Sequence, residues 1–226
     1  MSRAPENTLA AYELAIDLGF DWIETDVRLT RDDKPVMIHD PLVDRTTNGT
    51  GHVCLMDFDD LRALDARAGH DDYAGAQIAS LDETLTLCVT RDLGMVLEIK
   101  PIWGDDHDHG RIVAERIAAI VPQDFGRLVV SSFSVLTLAQ LRADLPWLPL
   151  VLATESVPRD PARLMDELGV CGFHMNYELG LAQGFDHVLR AGAHTAFATI
   201  NTPDPARELL KRGAHGIMTD MGDLLG

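Results

Sequence analysis

Residues 128–153 of the chain read LVVSSFSVLTLAQLRADLPWLPLVLA and contain one complete strand–helix–strand unit. Leu128–Ser132 and Leu148–Ala153 are short apolar runs, which is the pattern of buried strands. Between them, Ser134 can cap a helix that carries leucines on one face. Two strands joined in this way are parallel neighbours in a sheet, with the helix packed on the sheet.

The same alternation continues on both sides of this unit. Helices are predicted over Thr8–Leu18, Asp57–Leu64, Arg111–Val121 and Leu181–Ala191, and others begin at the Ser80–Glu83 capping box, at Asp160-Pro161 and at Asp204-Pro205. Further strands are predicted at Trp22–Val27, Met95–Ile99, Val170–Met175, Thr195–Ile200 and Gly216–Thr219, with a short strand at Pro35–His39 after a hairpin turn.

Roughly seven strands of this kind are one fewer than the eight of a TIM barrel, which takes about 250 residues. The alternative is a doubly wound sheet, but no glycine fingerprint follows a first strand. We therefore predict an α/β fold of the TIM (β/α)8 barrel type, with its first strand absent from this chain. No linker or internal repeat divides residues 1–226, so a single domain is predicted.

Composition argues against several classes of protein. The 36 acidic and 19 basic residues give a net charge of −17, whereas a nucleic-acid partner requires a basic surface. The sequence shows neither a run of about 20 apolar residues for stable membrane insertion nor a recognisable signal segment. Three widely spaced cysteines, interpreted as small buried hydrophobic residues, fit a reducing compartment, and we predict a cytoplasmic location. The oligomeric state is left open.

Acidic side chains occur in two of the predicted strands. Glu24 and Asp26 are two residues apart and therefore point to the same side of their strand. Glu98 lies in the apolar run Met95–Ile99, where an unpaired acid is unusual. Three carboxylates with open positions suit Mg²⁺ or Ca²⁺ better than zinc. The alternatives are ordinary exposed acids and an ion pair between Glu98 and Lys100, which points to the same side and could contact a phosphate.

His39 and Asp40 end the short strand that follows the hairpin turn. Histidine is the natural acid or base near neutral pH, although a lone histidine is often structural. His107 and His109, in the segment 104–110, could bind metal, but a solvated loop is the simpler interpretation. Five other histidines are interpreted as structural residues in loops or on helices, namely His52, His70, His187, His194 and His215.

Taken in order, these motifs resemble the glycerophosphodiester phosphodiesterase family. The match runs through PENTLAA (Pro5–Ala11), IETDV (Ile23–Val27), IHD (Ile38–Asp40), DRTTNGTG (Asp44–Gly51), LEIKP (Leu97–Pro101), SSF (Ser131–Phe133) and GIMTD (Gly216–Asp220). The resemblance covers nearly the whole chain, and the ordered set is specific although each motif alone is weak.

The resemblance implies a TIM barrel and metal-dependent hydrolysis of small glycerophosphodiesters to sn-glycerol 3-phosphate and an alcohol. It also implies a Mg²⁺ or Ca²⁺ ion held by Glu24, Asp26 and Glu98, with His39 as one of two acid–base histidines and Lys100 near the substrate phosphate. Two alternatives stay open. One is a non-catalytic barrel that binds phosphodiesters, and the other is a related barrel phosphodiesterase that acts on other lipid head groups.

Two departures from the family pattern bear on these expectations. The family opens with a strand that ends in His-Arg-Gly before the PENT run, and only Met1–Ala4 precede that run here. The second histidine and the arginine of that motif therefore have no counterpart in this sequence. A late strand that often ends aromatic-Thr-Val-Asn reads Ala198–Asn201, with Phe197 pointing to the other face. We expect the chain as written to show little or no phosphodiesterase activity, and an upstream in-frame extension to restore it.

Overall fold

The computed structural model describes residues 3–102, 104–222 and 224. These residues form one sheet of eight strands with helices packed against it. The strands are β1 (Trp22–Leu29), β2 (Pro35–Met37), β3 (Gly94–Ile99), β4 (Leu128–Ser132), β5 (Leu150–Thr154), β6 (Gly172–Asn176), β7 (His194–Ala198) and β8 (Gly216–Ile217).

Helices connect the parallel strands. They are α1 (Leu9–Asp17), α2 (Phe58–Arg62), α3 (Leu81–Arg91), α4 (Asp106–Ile120), α5 (Val135–Asp144), α6 (Pro161–Leu168), α7 (Tyr177–Gln183), α8 (Asp186–Arg190) and α9 (Pro203–Lys211). Several of these helices begin at the capping residues that the sequence predicted. Ser80 and Glu83 form the capping box of α3, and Ser134 accepts a hydrogen bond from the amide of Thr137 at the start of α5.

The order of the strands identifies the architecture. The sheet runs β2-β1-β3-β4-β5-β6-β7-β8, and all neighbours from β1 onward are parallel, whereas β2 pairs antiparallel with β1. A doubly wound sheet requires a reversal of strand order, and this order never reverses. The fold is therefore α/β of the TIM-barrel type, as predicted, and the predicted count of seven parallel strands is confirmed for the described residues.

The strands β1 and β8 lie at the two ends of the parallel order and flank one cavity of about 680 Å³. Trp22 and Glu24 line it from β1, Ile217 lines it from β8, and His39 lies at its rim. Trp22 is 39% exposed, which is unusual for an indole on a barrel strand. The expectation that a further strand belongs between these two edges stays a prediction, as does the single domain.

The hydrophobic core has two parts. The larger part lies between the outer face of the sheet and the helices, and it includes the fully buried Phe173 and Phe197. The smaller part lies under the segment between β2 and α3 and consists of Val36, Ile38, Val43, Val53, Leu61, Ala66 and Ile78. The segment that follows β2, predicted as a loop insertion, therefore packs around an apolar centre of its own.

Several boundaries and several interpretations from the sequence were wrong. Helix α4 begins at Asp106, so His107 and His109 lie on a helix and not in a solvated loop, and His109 is buried. Helix α9 begins at Pro203 and not after Asp204.

The predicted helix over Leu181–Ala191 is two helices, because Gly184 (φ +76°) separates α7 from α8. His194 opens β7, so it does not lie in a loop or on a helix. The three cysteines were interpreted as buried; Cys88 is buried, Cys54 is partly buried, and Cys171 is exposed, so the interpretation is wrong for Cys171.

Across the described residues, we find no helix that combines the length and the apolar character needed to cross a bilayer. This finding does not test the cytoplasmic location, which stays a prediction.

We predict that His174 makes the fold sensitive to acid. Burial in β6, and next the charge of His194, lower the pKa of His174 to about 4. The unfolded chain binds this proton at its ordinary value of about 6.5, so stability falls as the pH drops from about 6.5 toward 4, by about 3 kcal/mol in all. His174→Leu should remove this part of the pH dependence of the free energy of unfolding, measured by urea denaturation from pH 7 to pH 4.

The control for that measurement is His52→Leu, which changes an exposed histidine in the segment after β2. It should leave the pH dependence as it is in the unmodified protein. If His174→Leu and the unmodified protein lose stability in parallel between pH 7 and pH 4, His174 does not carry the effect.

Candidate active site

Three carboxylates meet beside the cavity, and two of them, Glu24 and Asp26, line it. Glu24 and Asp26 lie two residues apart on β1, and Glu98 lies on β3, where its backbone is directly opposite Asp26. Each offers one carboxylate oxygen, and these oxygens lie within 4.8 Å of one another. Asp26 is buried, whereas water reaches Glu24 through the cavity. The sequence therefore predicted correctly that the three acids converge.

Lys100 supplies the nearest positive charge to this cluster. Its Nζ lies 2.5 Å from Glu98 Oε1 and 3.3 Å from Asp26 Oδ1. Burial alone would lower the pKa of Lys100, but the two carboxylates outweigh burial and raise it, so the side chain stays charged. The ion pair between Glu98 and Lys100, which the sequence left as an alternative to a ligand site, is thus present. The lysine contacts Glu98 and Asp26 directly, and its charge acts on Glu24 more weakly than burial and the two neighbouring carboxylates do.

The remaining negative charge affects the carboxyl groups themselves. Enclosure by the walls of the cavity, and next the charges of Asp26 and Glu98, raise the pKa of Glu24 well above its usual range, although water still reaches the side chain. Burial also raises the pKa of Glu98, although Lys100 works against the shift. A divalent cation would relieve this repulsion, since hard cations prefer carboxylate oxygens. The described residues therefore fit a Mg²⁺ or Ca²⁺ ion by donor type, number and unbalanced charge.

Asn7 holds Asp26 from the loop before α1. Its Nδ2 donates to Asp26 Oδ2 at 3.0 Å, and its Oδ1 accepts from the Asp26 amide at 3.2 Å and from the Thr25 hydroxyl. Asn7 has a positive φ of 54°, a conformation that asparagine tolerates better than most residues. Thr8, the next residue, caps α1, so this loop is fixed to the start of the helix.

His39 follows β2 and lies at the rim of the same cavity. Its Nδ1 lies 2.7 Å from Asp40 Oδ1, and its side chain is 54% exposed. The hydrogen bond from Arg45, and next the hydrogen bond from His39, lower the pKa of Asp40 to about 2 despite partial burial. An ionised carboxylate can only accept hydrogen bonds, so Nδ1 carries the proton and Nε2 is left for proton exchange.

Arg28 is a site residue that sequence reasoning missed. It follows Glu24 and Asp26 at the same spacing of two on β1, and this alternation was the available signal. Its Nε donates to the carbonyl of His39 at 2.9 Å, and its Nη1 donates to the carbonyl of Lys100 at 3.4 Å. Arg28 therefore links the strand end that carries the histidine to the one that carries the lysine.

The opposite rim is polar. Asn201 Nδ2 donates to Asp220 Oδ2 at 2.9 Å, and the Asp220 amide donates back to Asn201 Oδ1. Phe197 points away from the cavity and packs on Phe185 with ring centroids 4.7 Å apart, as the sequence predicted. This rim offers hydrogen-bonding groups to a ligand where the family pattern often has an aromatic ring.

The family assignment agrees with this geometry. The sequence pattern described as "Glycerophosphoryl diester phosphodiesterase family" matches residues 1–224. The chain belongs to this family, whose reaction class is phosphoric diester hydrolysis.

Individual relatives agree with the assignment. A glycerophosphodiester phosphodiesterase of Caldanaerobacter subterraneus subsp. tengcongensis is 32% identical over 223 residues, covering 96% of this chain and 89% of that protein. A phosphodiesterase of Oleispira antarctica, solved in complex with the product sn-glycerol-3-phosphate, is 29% identical with a TM-score of 0.91, covering 97% of this chain and 89% of that one. A glycerophosphodiester phosphodiesterase of Agrobacterium tumefaciens is 28% identical with a TM-score of 0.78, covering 98% and 93%.

We predict that Asn7→Ala lowers the free energy of unfolding by about 2–4 kcal/mol. The change leaves the buried groups of Thr25 and Asp26 without one partner each, which costs about 1–3 kcal/mol per group, and it places alanine at a positive φ. Urea denaturation measures the loss. Asn48→Ala is the matched control, because Asn48 makes an exposed bond to the Asp65 amide. Equal losses in the two variants would contradict a special role for Asn7.

Proposed function

We propose that the protein hydrolyses small glycerophosphodiesters to sn-glycerol 3-phosphate and an alcohol, in a reaction that depends on Mg²⁺ or Ca²⁺. One observation carries the proposal. Glu24, Asp26 and His39 line one cavity of about 680 Å³, and Glu98 and the charged Lys100 lie against Asp26 at that wall. The complex of the Oleispira antarctica relative with sn-glycerol-3-phosphate supports the choice of product.

Glu24, Asp26 and Glu98 are the proposed ligands of the ion. When bound, the ion would take a phosphate oxygen and neutralise the charge that develops on it. Asp26 is the best oriented of the three, because Asn7 holds one of its oxygens and its backbone amide. Glu24 faces the open cavity, so it is the ligand beside which a substrate enters.

Lys100 is the proposed contact of the substrate phosphate. It sits against Glu98 and Asp26, and the carbonyl of Lys100 is held by Arg28. Its ammonium group would therefore offer positive charge beside the ion, which favours a phosphodiester anion over the neutral alcohol that leaves.

His39 is the proposed acid–base residue. Its Nε2 would accept a proton from the attacking oxygen, which is water or the glycerol hydroxyl of the substrate, or would donate one to the leaving alcohol. As a base, His39 would start from the neutral form with its proton on Nδ1, which Asp40 holds; as an acid, it would start from the imidazolium, which carries a proton on Nε2 as well and keeps the Nδ1–H bond to Asp40.

A second candidate function is phosphodiester binding without turnover. Among the described residues, three histidines line the cavity, and two of them, His174 and His194, come from strands β6 and β7. Of these three histidines, only His39 follows the carboxyl end of a strand. A barrel with one such histidine could retain the ion and the lysine and still lack one of the two proton transfers. Binding of glycerophosphocholine without its hydrolysis would favour this function.

We predict that Glu24→Gln makes the protein more stable in the absence of metal and reduces the stabilisation that added metal gives. A raised pKa of Glu24 means that its charged form opposes folding near neutral pH, so the neutral glutamine should stabilise the protein in EDTA. Metal at about 100 times its Kd should add about 2.7 kcal/mol to the unmodified protein and much less to the variant. Thermal unfolding with and without Mg²⁺ or Ca²⁺ measures both effects.

Asp59→Asn, which changes an exposed acid on α2, is the control for the metal experiment. It should respond to metal as the unmodified protein does. A metal response that survives in Glu24→Gln would remove Glu24 from the ion site.

We predict that His39→Ala lowers kcat for glycerophosphocholine by about 10²–10⁴, the usual contribution of a positioned acid or base. The choline-release assay should be run on the 226-residue chain and on a form with an N-terminal extension. His52→Ala is the matched control and should keep kcat. An unchanged rate in His39→Ala, in a form that turns over, would exclude His39 from the reaction.

A further inference from the structure

Two adjacent residues in the loop before α1 reach opposite sides of the site. Asn7 binds Asp26, and Glu6 binds Arg45 in the segment that follows β2. Glu6 and Arg45 form a two-point ion pair, with Nη1 2.6 Å from Oε2 and Nη2 2.7 Å from Oε1. Neither Glu6 nor Arg45 was assigned a role from the sequence.

Arg45 also binds Asp40. Its Nε donates to Asp40 Oδ2 at 2.6 Å, and its Nη2 donates to Asp40 Oδ1 at 3.1 Å. Asp40 Oδ1 is the same oxygen that accepts from His39 Nδ1 at 2.7 Å. The guanidinium plane is therefore shared between two carboxylates, a geometry that a lysine cannot reproduce.

The backbone around Arg45 is fixed independently of these ion pairs. Val43 and Thr46, on either side of it, are buried, and Val43 belongs to the smaller apolar core. The amide of Val43 also donates to the carbonyl of Gly51. The backbone that carries Arg45 is thus fixed, which lets its guanidinium hold Asp40 in one orientation.

We propose that Arg45 is a positioning residue for His39, and that Glu6, Arg45 and Asp40 form a clamp that keeps the imidazole in its Nδ1–H form with Nε2 toward the cavity. This role rests on the proposed function of His39 as acid or base. Arg45 fixes both oxygens of Asp40, so Asp40 has one oxygen aimed at Nδ1. Glu6 holds the far side of Arg45 and ties it to the loop that braces Asp26.

The clamp sets the distance between the two halves of the proposed site. Glu6 and Asn7 are consecutive, and one leads through Arg45 and Asp40 to His39 while the other leads directly to Asp26. Loosening Glu6 or Arg45 should therefore disturb the histidine and leave the carboxylates in place, so turnover should suffer more than ligand binding.

The test combines a spectroscopic and a kinetic measurement on the full chain. The tautomer of His39 is read from its imidazole ¹⁵N shifts, and His39→Ala identifies its signals among those of the nine histidines. We expect the Nδ1–H form in the unmodified protein and a mixture of tautomers in Arg45→Ala and Asp40→Ala. Arg45→Lys should give a fraction of the Nδ1–H tautomer between those of the unmodified protein and Arg45→Ala, since one ammonium cannot hold both carboxylates.

In an assay with glycerophosphocholine, Arg45→Ala should lower kcat by about 10-fold to 100-fold, with KM changed much less; this is the size of effect found when the partners that orient metal-bound histidines are removed. Arg31→Ala is the matched control. Arg31 makes a two-point pair with Asp57 at 2.8 and 2.7 Å, is exposed, and does not line the cavity. It should leave the His39 tautomer and kcat as they are.

The proposal is overturned if Arg45→Ala keeps the tautomer of the unmodified protein, or if Arg31→Ala changes kcat and the tautomer to the same extent. If the unmodified chain does not turn over, the proposed function fails in this form, and the tautomer measurement still decides the clamp. If Arg45→Ala does not fold, Arg45→Lys and Glu6→Gln provide the same comparison with smaller changes, and a tautomer unaltered in both counts against the clamp.

Discussion

Repulsion among the carboxylates at the ends of β1 and β3 is the constraint on which the site depends. Parallel pairing places Asp26 opposite Glu98, and Glu24 points the same way, so three acids share one small volume. Lys100 offsets part of this charge, and burial, together with the charges of Asp26 and Glu98, raises the pKa of Glu24. Holding the three carboxylates together in a folded protein lowers its stability. A cation that neutralised them would relieve the repulsion and would therefore bind more tightly.

The loop before α1 converts this charged cluster into a defined geometry. Asn7 braces Asp26, and Tyr12 of α1 contacts Thr25 on the outer face of the same strand. Because Thr8 caps α1, the helix, the loop and the strand form one hydrogen-bonded unit. A small set of short contacts near the start of the chain therefore orients groups that lie far apart in sequence.

The sequence contained most of the fold because strands and helices in this architecture have different hydrophobic periods. The seven parallel strands and the caps at Ser80 and Ser134 follow from local pattern alone. The sequence predicted that helix α4 begins at Arg111 and not at Asp106, because its first turn, which includes His107 and His109, is polar and hides the apolar stripe. Polar helix starts are stabilised by tertiary contacts, such as Ser134 with Asp106, which a local reading cannot detect.

The site residues also fall into two groups, those that the sequence pattern could place and those that it could not. Glu24, Asp26, Glu98 and Lys100 could be placed on one face because a period of two fixes the direction of side chains on a strand. Their convergence is confirmed, whereas their roles stay predictions. The same period also places Arg28 on that face, but its backbone-carbonyl partners give no sequence signal. Arg45 could not be placed in this way, because its carboxylate partners are brought together only by the folded loops. His174 gave no pattern beyond an apolar strand, and its effect depends on how deeply the sheet buries it.

The small apolar core under the segment after β2 has a consequence for how the molecule would lose activity on warming. That core contains far fewer side chains than the one beneath the helices, and β2 contributes only three residues to the sheet. Segments with few buried contacts open at lower free energy than the rest of a protein. His39 lies on this weaker unit, whereas Glu24, Asp26 and Glu98 lie on the stronger one. Heat would therefore displace His39 before the barrel melts, and the three proposed ion ligands would still be in place.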